Sequence, residues 1–337
     1  MALVVGESGL SAVTAELDSS LLSYQSGGGE EQSPADVDSE SKERFFDEEL
    51  IDWSWLNMID VDADVNVAKI DFNGIEIGDF HLPIESTDGR LNVTALKGLL
   101  GGGEFSSDVT LTEVDDAADI VFDLTASGVI LEKLNFLPPE DLRNAATDLT
   151  VSLKTKGQHS LGLVSALDGS VLLNVGDGII GNDSFELLGS DLILGLLNKL
   201  NPFAKKDKTT ELECAVVKLN IEQGKINIDN SLALRTSKLT MVADGSVDLP
   251  SEKIKLSLTP KARQGVGVDV SSLVKFIALG GTLSEPAPTV SAAGLIQSAA
   301  VVGAAVSTGG VSLLATSVAE KTIAKVDVCK RANAAFD

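Results

Sequence analysis

The chain alternates apolar and polar residues over many short stretches. From Val61 to Val67, valine and alanine alternate with aspartate and asparagine, and the stretch from Ala118 to Ala126 repeats the pattern. The same period recurs around Phe80, Leu173 and Leu256. A period of two places the apolar side chains of a strand on one face of a sheet. We therefore predict a mainly β protein whose antiparallel sheet has an apolar face that is either covered or used.

Turn and helix signals divide these strands. Five Asx-Gly pairs predict turns; they are Asn73-Gly74, Asp88-Gly89, Asp168-Gly169, Asp177-Gly178 and Asp244-Gly245. Three apolar stretches predict short helices, namely Ser160 to Leu167, Leu187 to Leu200 and Ser271 to Leu279.

The C-terminal region has a different composition. No charged residue occurs from Pro286 to Ala319, and Ala, Val, Gly, Ser and Thr dominate. The stretch exceeds the roughly 20 residues that span a bilayer, but it is only modestly hydrophobic. We expect one or two small-residue helices that pack on the sheet or lie at a membrane surface, rather than a membrane span.

These patterns suggest four segments. Residues 1–24 read as an N-terminal strand and turn, and residues 25–43 as an acidic disordered linker. The β domain covers residues 44–288 and begins with a bulky apolar cluster from Phe45 to Leu56. A helical tail covers residues 289–337.

The charge of the chain excludes one class of partner. The formal net charge is −24, from 50 acidic and 26 basic residues. Binding to nucleic acid requires a basic face, so we expect no nucleic-acid partner. Aromatic residues make up only 4% of the chain, so the apolar faces are built from Val, Leu, Ile and Ala. Such smooth faces suit hydrocarbon better than a planar ligand.

No group of residues predicts catalysis or metal binding. Asp60, Asp62 and Asp64 alternate with apolar residues and lack the Gly and Glu of a calcium loop. His81 and His159 have no Cys or Asp partner at ligand spacing, so we expect solvated side chains. Gly101 to Gly103 read as a turn, because no phosphate-binding Lys-Ser or Lys-Thr follows. We expect no enzyme, no cofactor and no metal.

The two cysteines, Cys214 and Cys329, are compatible with two interpretations. They are either two small core residues or one long-range disulfide, which requires an oxidising compartment. The N terminus lacks the basic start of a signal peptide. The chain is then either cytosolic or the C-terminal part of a longer protein.

Several segments, in order, resemble the C-terminal region of the AsmA family of Gram-negative envelope proteins. They are RFFDEELIDWSWLNMIDVDADVNV from Arg44, DGRLNVTALKGLLGGGEFSSDVTL from Asp88, SLGLVSALDGSVLLNVGDGIIGND from Ser160, ELECAVVKLNIEQGKINID from Glu211, GSVDLPSEKIKLSLTPK from Gly245 and GGTLSEPAP from Gly280. The most specific of these begins at Ser160. The AsmA/TamB-like proteins are relatives of the bridge-like lipid transfer proteins.

The resemblance implies a long curled β-sheet, a half-pipe with an apolar inner groove. It implies a periplasmic protein held in the inner membrane by an N-terminal helix that this chain lacks. The implied function is outer-membrane biogenesis by lipid transport, in which the groove moves or holds phospholipid acyl chains between inner and outer membrane. The C-terminal tail would contact the outer membrane or one of its proteins. The alternative is a factor for assembly or targeting of outer-membrane proteins, or a scaffold without ligand that docks partners by its sheet edges.

Two sets of residues matter for the function that this resemblance implies. An envelope location favours the disulfide between Cys214 and Cys329. Alternation with polar neighbours predicts the residues that line the lipid groove, which are Val61, Val65, Phe80, Leu82, Ile120, Phe122, Val151, Val171, Leu173, Leu234, Met241 and Leu256.

Overall fold

A computed structural model describes residues 2–6, 9–24, 44–58, 60–134, 142–181, 209–237, 239–263, 277–290 and 327–334. The strands are β1 (Ala2–Gly6), β2 (Gly9–Ser19), β3 (Leu22–Tyr24), β4 (Asp60–Phe72), β5 (Ile75–Thr87), β6 (Arg90–Leu100), β7 (Gly103–Val114), β8 (Ala117–Ile130), β9 (Leu142–Arg143), β10 (Ala146–Gly157), β11 (Asp168–Val175), β12 (Gly178–Gly181), β13 (Thr209–Glu222), β14 (Lys225–Thr236), β15 (Leu239–Asp248), β16 (Lys253–Ala262), β17 (Ile277–Gly281) and β18 (Pro286–Val290). The helices are α1 (Ser160–Ser165) and α2 (Val328–Ala334), with 3-10 turns at Ser54–Asn57 and Leu131–Leu134.

The predicted fold class, a mainly β protein with few helices, is confirmed, because strands make up 72% of the described residues. The sheet is mixed, however, and not antiparallel throughout. Strands β2 and β3 both pair with β4 in parallel. A parallel pair needs a long crossover connection, and the segment between Ser19 and Asp60 is long enough to provide one.

The chain divides into two compact units. Unit 1 comprises Met1–Pro138, Ala146–Val171 and Asn220–Lys225; unit 2 comprises Pro139–Ala145, Leu172–Leu219 and Ile226–Asp337. In unit 1 the strands pair in the order β1, β2, β4, β5, β6, β7, β8, β10. Among the described strands of this unit, no pairing joins the two ends of that order.

The Asx-Gly signals mark two different structures. Asn73-Gly74 and Asp88-Gly89 form the predicted turns, with φ angles between 50° and 84° that suit hairpins. Asp168-Gly169 instead begins strand β11 and Asp244-Gly245 lies inside β15, so the predicted turns there are wrong. Asp177 lies in a bend just before β12.

The two strand glycines allow the backbones of neighbouring strands to approach closely. Gly169 has φ +141°, and a Cβ at this position would lie 2.0 Å from the carbonyl oxygen of Ser152. Gly245 has φ +144°, and its Cβ would lie 2.0 Å from the carbonyl oxygen of Lys255. A side chain at either position requires the facing strand to move.

Two β-bulges maintain the orientation of side chains in unit 1. The register between β5 and β6 shifts between Glu85 and His81, and again between His81 and Gly78. The bulged residues Ala95 and Asp79 have φ angles of 60° and 46°. The Asp108 carboxylate accepts a hydrogen bond of 2.8 Å from the Ala95 N–H. Each bulge adds one residue to one strand, so the apolar residues on both sides of it stay on the same face.

Residues 44–58 form a strap across one set of strand ends in unit 1. The Ile51 N–H donates to the Gln158 carbonyl at 2.8 Å, and the Leu161 N–H donates to the Asp47 carbonyl at 2.9 Å. At its other end, the 3-10 turn contacts β5, β6 and β7, and Leu56 is only 2% exposed. The cluster predicted at the start of the β domain therefore packs on the sheet through this leucine.

The helix predictions have mixed outcomes. Helix α1 is close to the predicted Ser160 to Leu167, but its N-cap is His159, whose Nδ1 accepts from the Gly162 N–H at 2.9 Å. His159, predicted to be a solvated side chain, is half-buried in this capping position. The predicted helix from Ser271 is wrong at its end, because Ile277–Gly281 is a strand whose partner β18 supplies backbone hydrogen bonds. The predicted helix from Leu187 lies outside the described residues, as does the acidic linker.

The C-terminal tail begins as a strand. Pro286–Val290 pairs antiparallel with β17, so the prediction of helix from Pro286 is wrong for these residues. Residues 291–326 lie outside the described part, and Val328–Ala334 is helical as α2. Among the described residues, no helix has the length and hydrophobicity needed to cross a membrane.

Helix α2 packs on the strands of unit 2. Val328, Cys329 and Ala332 are buried against Val216 and Ala233. Cys214 and Cys329, the pair predicted from the sequence, form a disulfide with a Cα–Cα distance of 6.4 Å. The Lys218 ammonium donates to the Asn333 carbonyl at 2.7 Å. The short helix is thus held by a covalent bond, a small apolar core and a charged hydrogen bond.

Replacing Gly169 with alanine tests the close strand approach. We expect Gly169→Ala to lower the free energy of unfolding by at least about 2 kcal/mol, because the new Cβ meets the Ser152 carbonyl at a disfavoured φ. Gly78→Ala is the control in the same unit, because its Cβ meets only the Leu99 side chain, at 3.6 Å. Urea denaturation measures both variants, and equal stabilities would show that the backbones are not in close contact at Gly169.

Removing the disulfide tests the attachment of α2. The bond joins residues 115 positions apart. We expect Cys214→Ala combined with Cys329→Ala to lower the free energy of unfolding by about 2–5 kcal/mol, because the unfolded chain loses a constraint on a long loop. Urea denaturation of the variant, and of the wild type with and without reductant, provides the measurement. A midpoint unaffected by both changes would contradict this role.

Candidate functional site

One face of unit 1 carries apolar side chains across seven neighbouring strands, from β2 to β10; we call it the apolar face. Residues in register on adjacent strands point to the same face. In one row, Val109 pairs with Phe122, which pairs with Leu153. A second row contains Leu111 and Ile120, and a third row contains Leu124 and Val151. Rows on β4 and β5 continue the face, with Val61, Val65 and Val67 opposite Ser86, Leu82 and Phe80.

The structure brings seven of the twelve predicted groove residues together on this face. They are Val61, Val65, Phe80, Leu82, Ile120, Phe122 and Val151. The prediction omitted apolar residues of β6 and β7 that belong to the same face, such as Val93, Leu96 and Val109. The bulge at Ala95 explains the omission in β6, because it breaks the simple alternation there.

The apolar face is neither buried nor fully exposed. Most of its side chains, including Phe122 and Leu153, are half-buried, and only a few such as Val67 and Val151 are buried. Neighbours within the sheet shield part of each side chain. The described elements that pack on these strands from outside the sheet are α1, the strap and the 3-10 turn Leu131–Leu134. Among the described residues of unit 1, no second layer completes the burial of the face.

The opposite face of the same strands is polar and acidic. On β8, Asp119 and Asp123 are exposed between the residues of the apolar face, and Val121 is 43% exposed beside them. His81 lies on this polar face, where its Nδ1 is 2.8 Å from the Asn66 Oδ1. The ion pair with Glu76 raises the pKa of Lys69 above its usual value. The sheet therefore has one polar face, which is suited to water, and one apolar face, which is suited to hydrocarbon.

Two serines, Ser86 and Ser107, are buried among the apolar rows, and the Ser107 hydroxyl has a hydrogen-bond partner. Ser107 occupies the position opposite Leu124 and is 4% exposed. Its hydroxyl donates to the Asp123 carbonyl at 2.8 Å. Because this hydrogen bond goes to the backbone, Ser107 adds no polar site to the face.

The predicted groove residues of unit 2 lie on the face away from α2. Helix α2 packs against Leu172, Ala233 and Val242. By alternation, Leu173, Leu234 and Met241 point to the other side of their strands. Val171, the fifth remaining groove residue, belongs to unit 1 at the end of its β11 segment. Met241 shares that side with Leu256, because β15 and β16 pair with Ala243 opposite Leu258 and Gly245 opposite Leu256. Each unit thus has an apolar face with predicted groove residues.

The rim of the apolar face in unit 1 is also apolar. The strap exposes large hydrophobic side chains, with Phe45 at 63%, Leu50 at 73% and Trp55 at 46% exposure. The opposite rim carries the buried Leu134 next to the turn at Gly101. These exposed hydrophobic side chains alternate along the strap with the exposed acidic side chains of Asp47, Glu48, Glu49 and Asp52.

The described residues provide little for metal chemistry. Cys214, Asp327 and Cys329 lie close together, but both sulfurs are bonded to each other in the disulfide. A cysteine binds a metal ion only as a free thiolate, so the two bonded sulfurs are structural.

Comparison with known proteins assigns the family. The profile of the AsmA family matches residues 25–231, which is more than half of the chain. No curated protein and no solved structure matches the chain. The AsmA family is associated with the bacterial envelope, and membership fits envelope-related lipid transport. With its apolar sheet face and this match, the chain belongs to the AsmA family.

Proposed function

We propose that this chain is a lipid-conduit module that holds phospholipid acyl chains on the apolar face of its sheet. The observation that carries the proposal is the face itself, which is continuous over seven strands, largely aliphatic and uncovered by a second layer among the described residues of unit 1. In a single-layered sheet, the apolar side chains of such a face are exposed to water, which is unfavourable. Acyl chains remove that exposure without any specific contact.

The size and chemistry of the face suit hydrocarbon. Six strand spacings of about 4.8 Å make the rows about 29 Å long. Each buried methylene contributes about 0.8 kcal/mol, so an acyl chain lying along a row gains several kcal/mol even when it is half-buried. The rows consist of branched aliphatic residues with few aromatics, so no position along a row binds much better than the next. Such a surface permits sliding as well as binding.

The proposed location is the periplasm, between inner and outer membrane. The disulfide between Cys214 and Cys329 supports an oxidising compartment. We also propose that the protein is held at the inner membrane. The C-terminal tail, whose residues 291–326 lie outside the described part, is proposed to meet the outer membrane or a protein within it.

A non-catalytic role fits the titratable residues of the structure. His159 caps a helix, and His81 is hydrogen-bonded to Asn66. The His81 imidazole lies on the polar face, away from the face where lipid would bind. We therefore propose no enzyme activity and no cofactor. A ligand-free scaffold is the weaker alternative, because a scaffold needs a filled core and the apolar face has no covering layer among the described residues of unit 1.

A pair of adjacent substitutions tests lipid binding. Phe122→Asp places a charge on the apolar face, whereas Val121→Asp places the same charge on the polar face one residue away. A carboxylate within hydrocarbon is costly, so we expect Phe122→Asp to reduce binding and transfer of fluorescent phospholipid by about tenfold or more. Val121→Asp should leave both unchanged.

Unfolding curves control for folding of both variants. Lipid binding and transfer by folded Phe122→Asp protein equal to those of the wild type would contradict the proposal. An equal loss in both variants would also contradict it, because the effect would not depend on the face.

A further inference from the structure

The strap of unit 1, residues 44–58, carries large hydrophobic side chains that face water. Met58 is 63% and Ile51 37% exposed, in addition to Phe45, Leu50 and Trp55; we call these five side chains the strap patch. Both tryptophans of the chain lie in the strap, although aromatic residues make up only 4% of the sequence. Exposed hydrophobic patches mark interaction sites, and Trp, Phe and Met are enriched at protein interfaces. The strap patch is therefore a candidate docking surface.

Hydrogen bonds to the rest of unit 1 hold the strap in place. The Asp47 N–H donates to the Ser160 Oγ of α1 at 2.9 Å. At the other end, the Asn57 Nδ2 donates to the Glu113 Oε2 of β7 at 2.5 Å, beside the buried Leu56. The strap cannot turn its patch inward without breaking these contacts. A partner therefore meets a preorganised surface, which reduces the entropy lost on binding.

The strap offers a partner side chains rather than backbone groups. The N–H groups of the strap that already donate within unit 1 are those of Asp47, Glu49, Ile51, Ser54, Leu56 and Met58. An added strand would find few free donors, whereas a helix binds through its side chains. The strap runs from the end of β10 to the ends of β7, β6 and β5. The four strand spacings from β10 to β5 measure roughly 19 Å, which a helix of about 13 residues spans.

Carboxylates are interspersed with the strap patch. Those on the strap are Asp47, Glu48, Glu49 and Asp52, all of them exposed. Asp115 and Asp116 are exposed in the turn beside the strap, where the Gln158 Nε2 donates to the Asp115 carbonyl at 3.2 Å. Arg44 is the only basic residue of the strap. This negative charge repels an anionic membrane surface and attracts basic side chains, so the complementary partner is a basic protein segment.

We propose that the strap patch binds an amphipathic helix of a partner protein, in which an apolar stripe is flanked by Lys or Arg. The apolar stripe packs on Leu50, Trp55 and Met58, and the basic residues pair with the carboxylates of the strap. Burial of the Trp55 indole contributes most, because Trp dominates the binding energy of many interfaces. This partner site is additional to the proposed lipid function and does not depend on it.

Tryptophan-free peptides test the site directly, because the two tryptophans of the strap are the only ones in the protein. The probes are a helical peptide of about 14 residues with Leu on one face and Lys on the other, its Leu/Glu counterpart, and a scrambled Leu/Lys peptide of the same composition. We expect the amphipathic Leu/Lys peptide to bind about tenfold tighter than the other two. Its binding should shift the tryptophan emission of the protein to shorter wavelength, because Trp55 leaves water. No lipid is present, so the result is independent of the lipid proposal.

Substitution of exposed hydrophobic residues locates the binding. Leu50→Ser with Met58→Ser should weaken binding of the Leu/Lys peptide by about tenfold or more, because both side chains belong to the strap patch. The control, Leu99→Ser with Val121→Ser, removes two exposed hydrophobic side chains from the polar face of the sheet and should leave the affinity unchanged. Both double variants keep the tryptophans that report binding.

A charge reversal provides the decisive comparison. Glu48→Lys with Glu49→Lys should reverse the preference towards the Leu/Glu peptide, whereas Asp119→Lys with Asp123→Lys makes the same charge change on distant β8 and should not. The proposal is overturned if no peptide binds, if the scrambled peptide binds equally, or if the strap variants behave like their controls. It is also overturned if phosphatidylcholine vesicles shift the tryptophan emission and the Leu/Lys peptide does not, because the strap would then be a membrane contact.

Discussion

The structure of unit 1 depends on strand register, which keeps every apolar row on one face. A shift of one residue in the pairing of a strand would move all its apolar side chains to the opposite face of the sheet. The sequence of β6 risks such a slip, because Val93 and Leu96 are three residues apart and both belong to the apolar face. The bulge at Ala95 absorbs the extra residue, and the Asp108 carboxylate holds its N–H group. A second bulge at Asp79 restores the register with β5.

An open apolar face has energetic consequences for the whole unit. In a two-layered protein, the second layer supplies most of the burial. Here each side chain is shielded mainly by its neighbours within the sheet, so the stability of unit 1 depends on long strands and many backbone hydrogen bonds. The acidic residues of the polar face keep the sheet in solution. The features that allow this sheet to remain single-layered are therefore the same features that leave the face available to acyl chains.

The sequence predicts the strands well because alternation is a local signal. It identifies seven residues of the apolar face in unit 1, but it misses Leu96, where a bulge breaks the period. The Asp-Gly signal has the same limit: Asp88-Gly89 makes a turn, whereas Asp244-Gly245 lies inside β15, where the facing Lys255 comes close. The parallel pairing of β2 with β4 also depends on residues far apart in the chain. Local patterns determine which residues form strands, whereas tertiary contacts determine their partners.

The most direct measurement of the central claim is a crosslinking scan along β8. A photo-crosslinking amino acid is placed singly at each position from Asp119 to Leu124 in the protein expressed in the bacterial envelope, and bound phospholipid is detected by mass spectrometry. The account predicts lipid adducts at Ile120, Phe122 and Leu124, and few or none at Asp119, Val121 and Asp123. Equal labelling at all six positions, or labelling confined to the polar face, would contradict it.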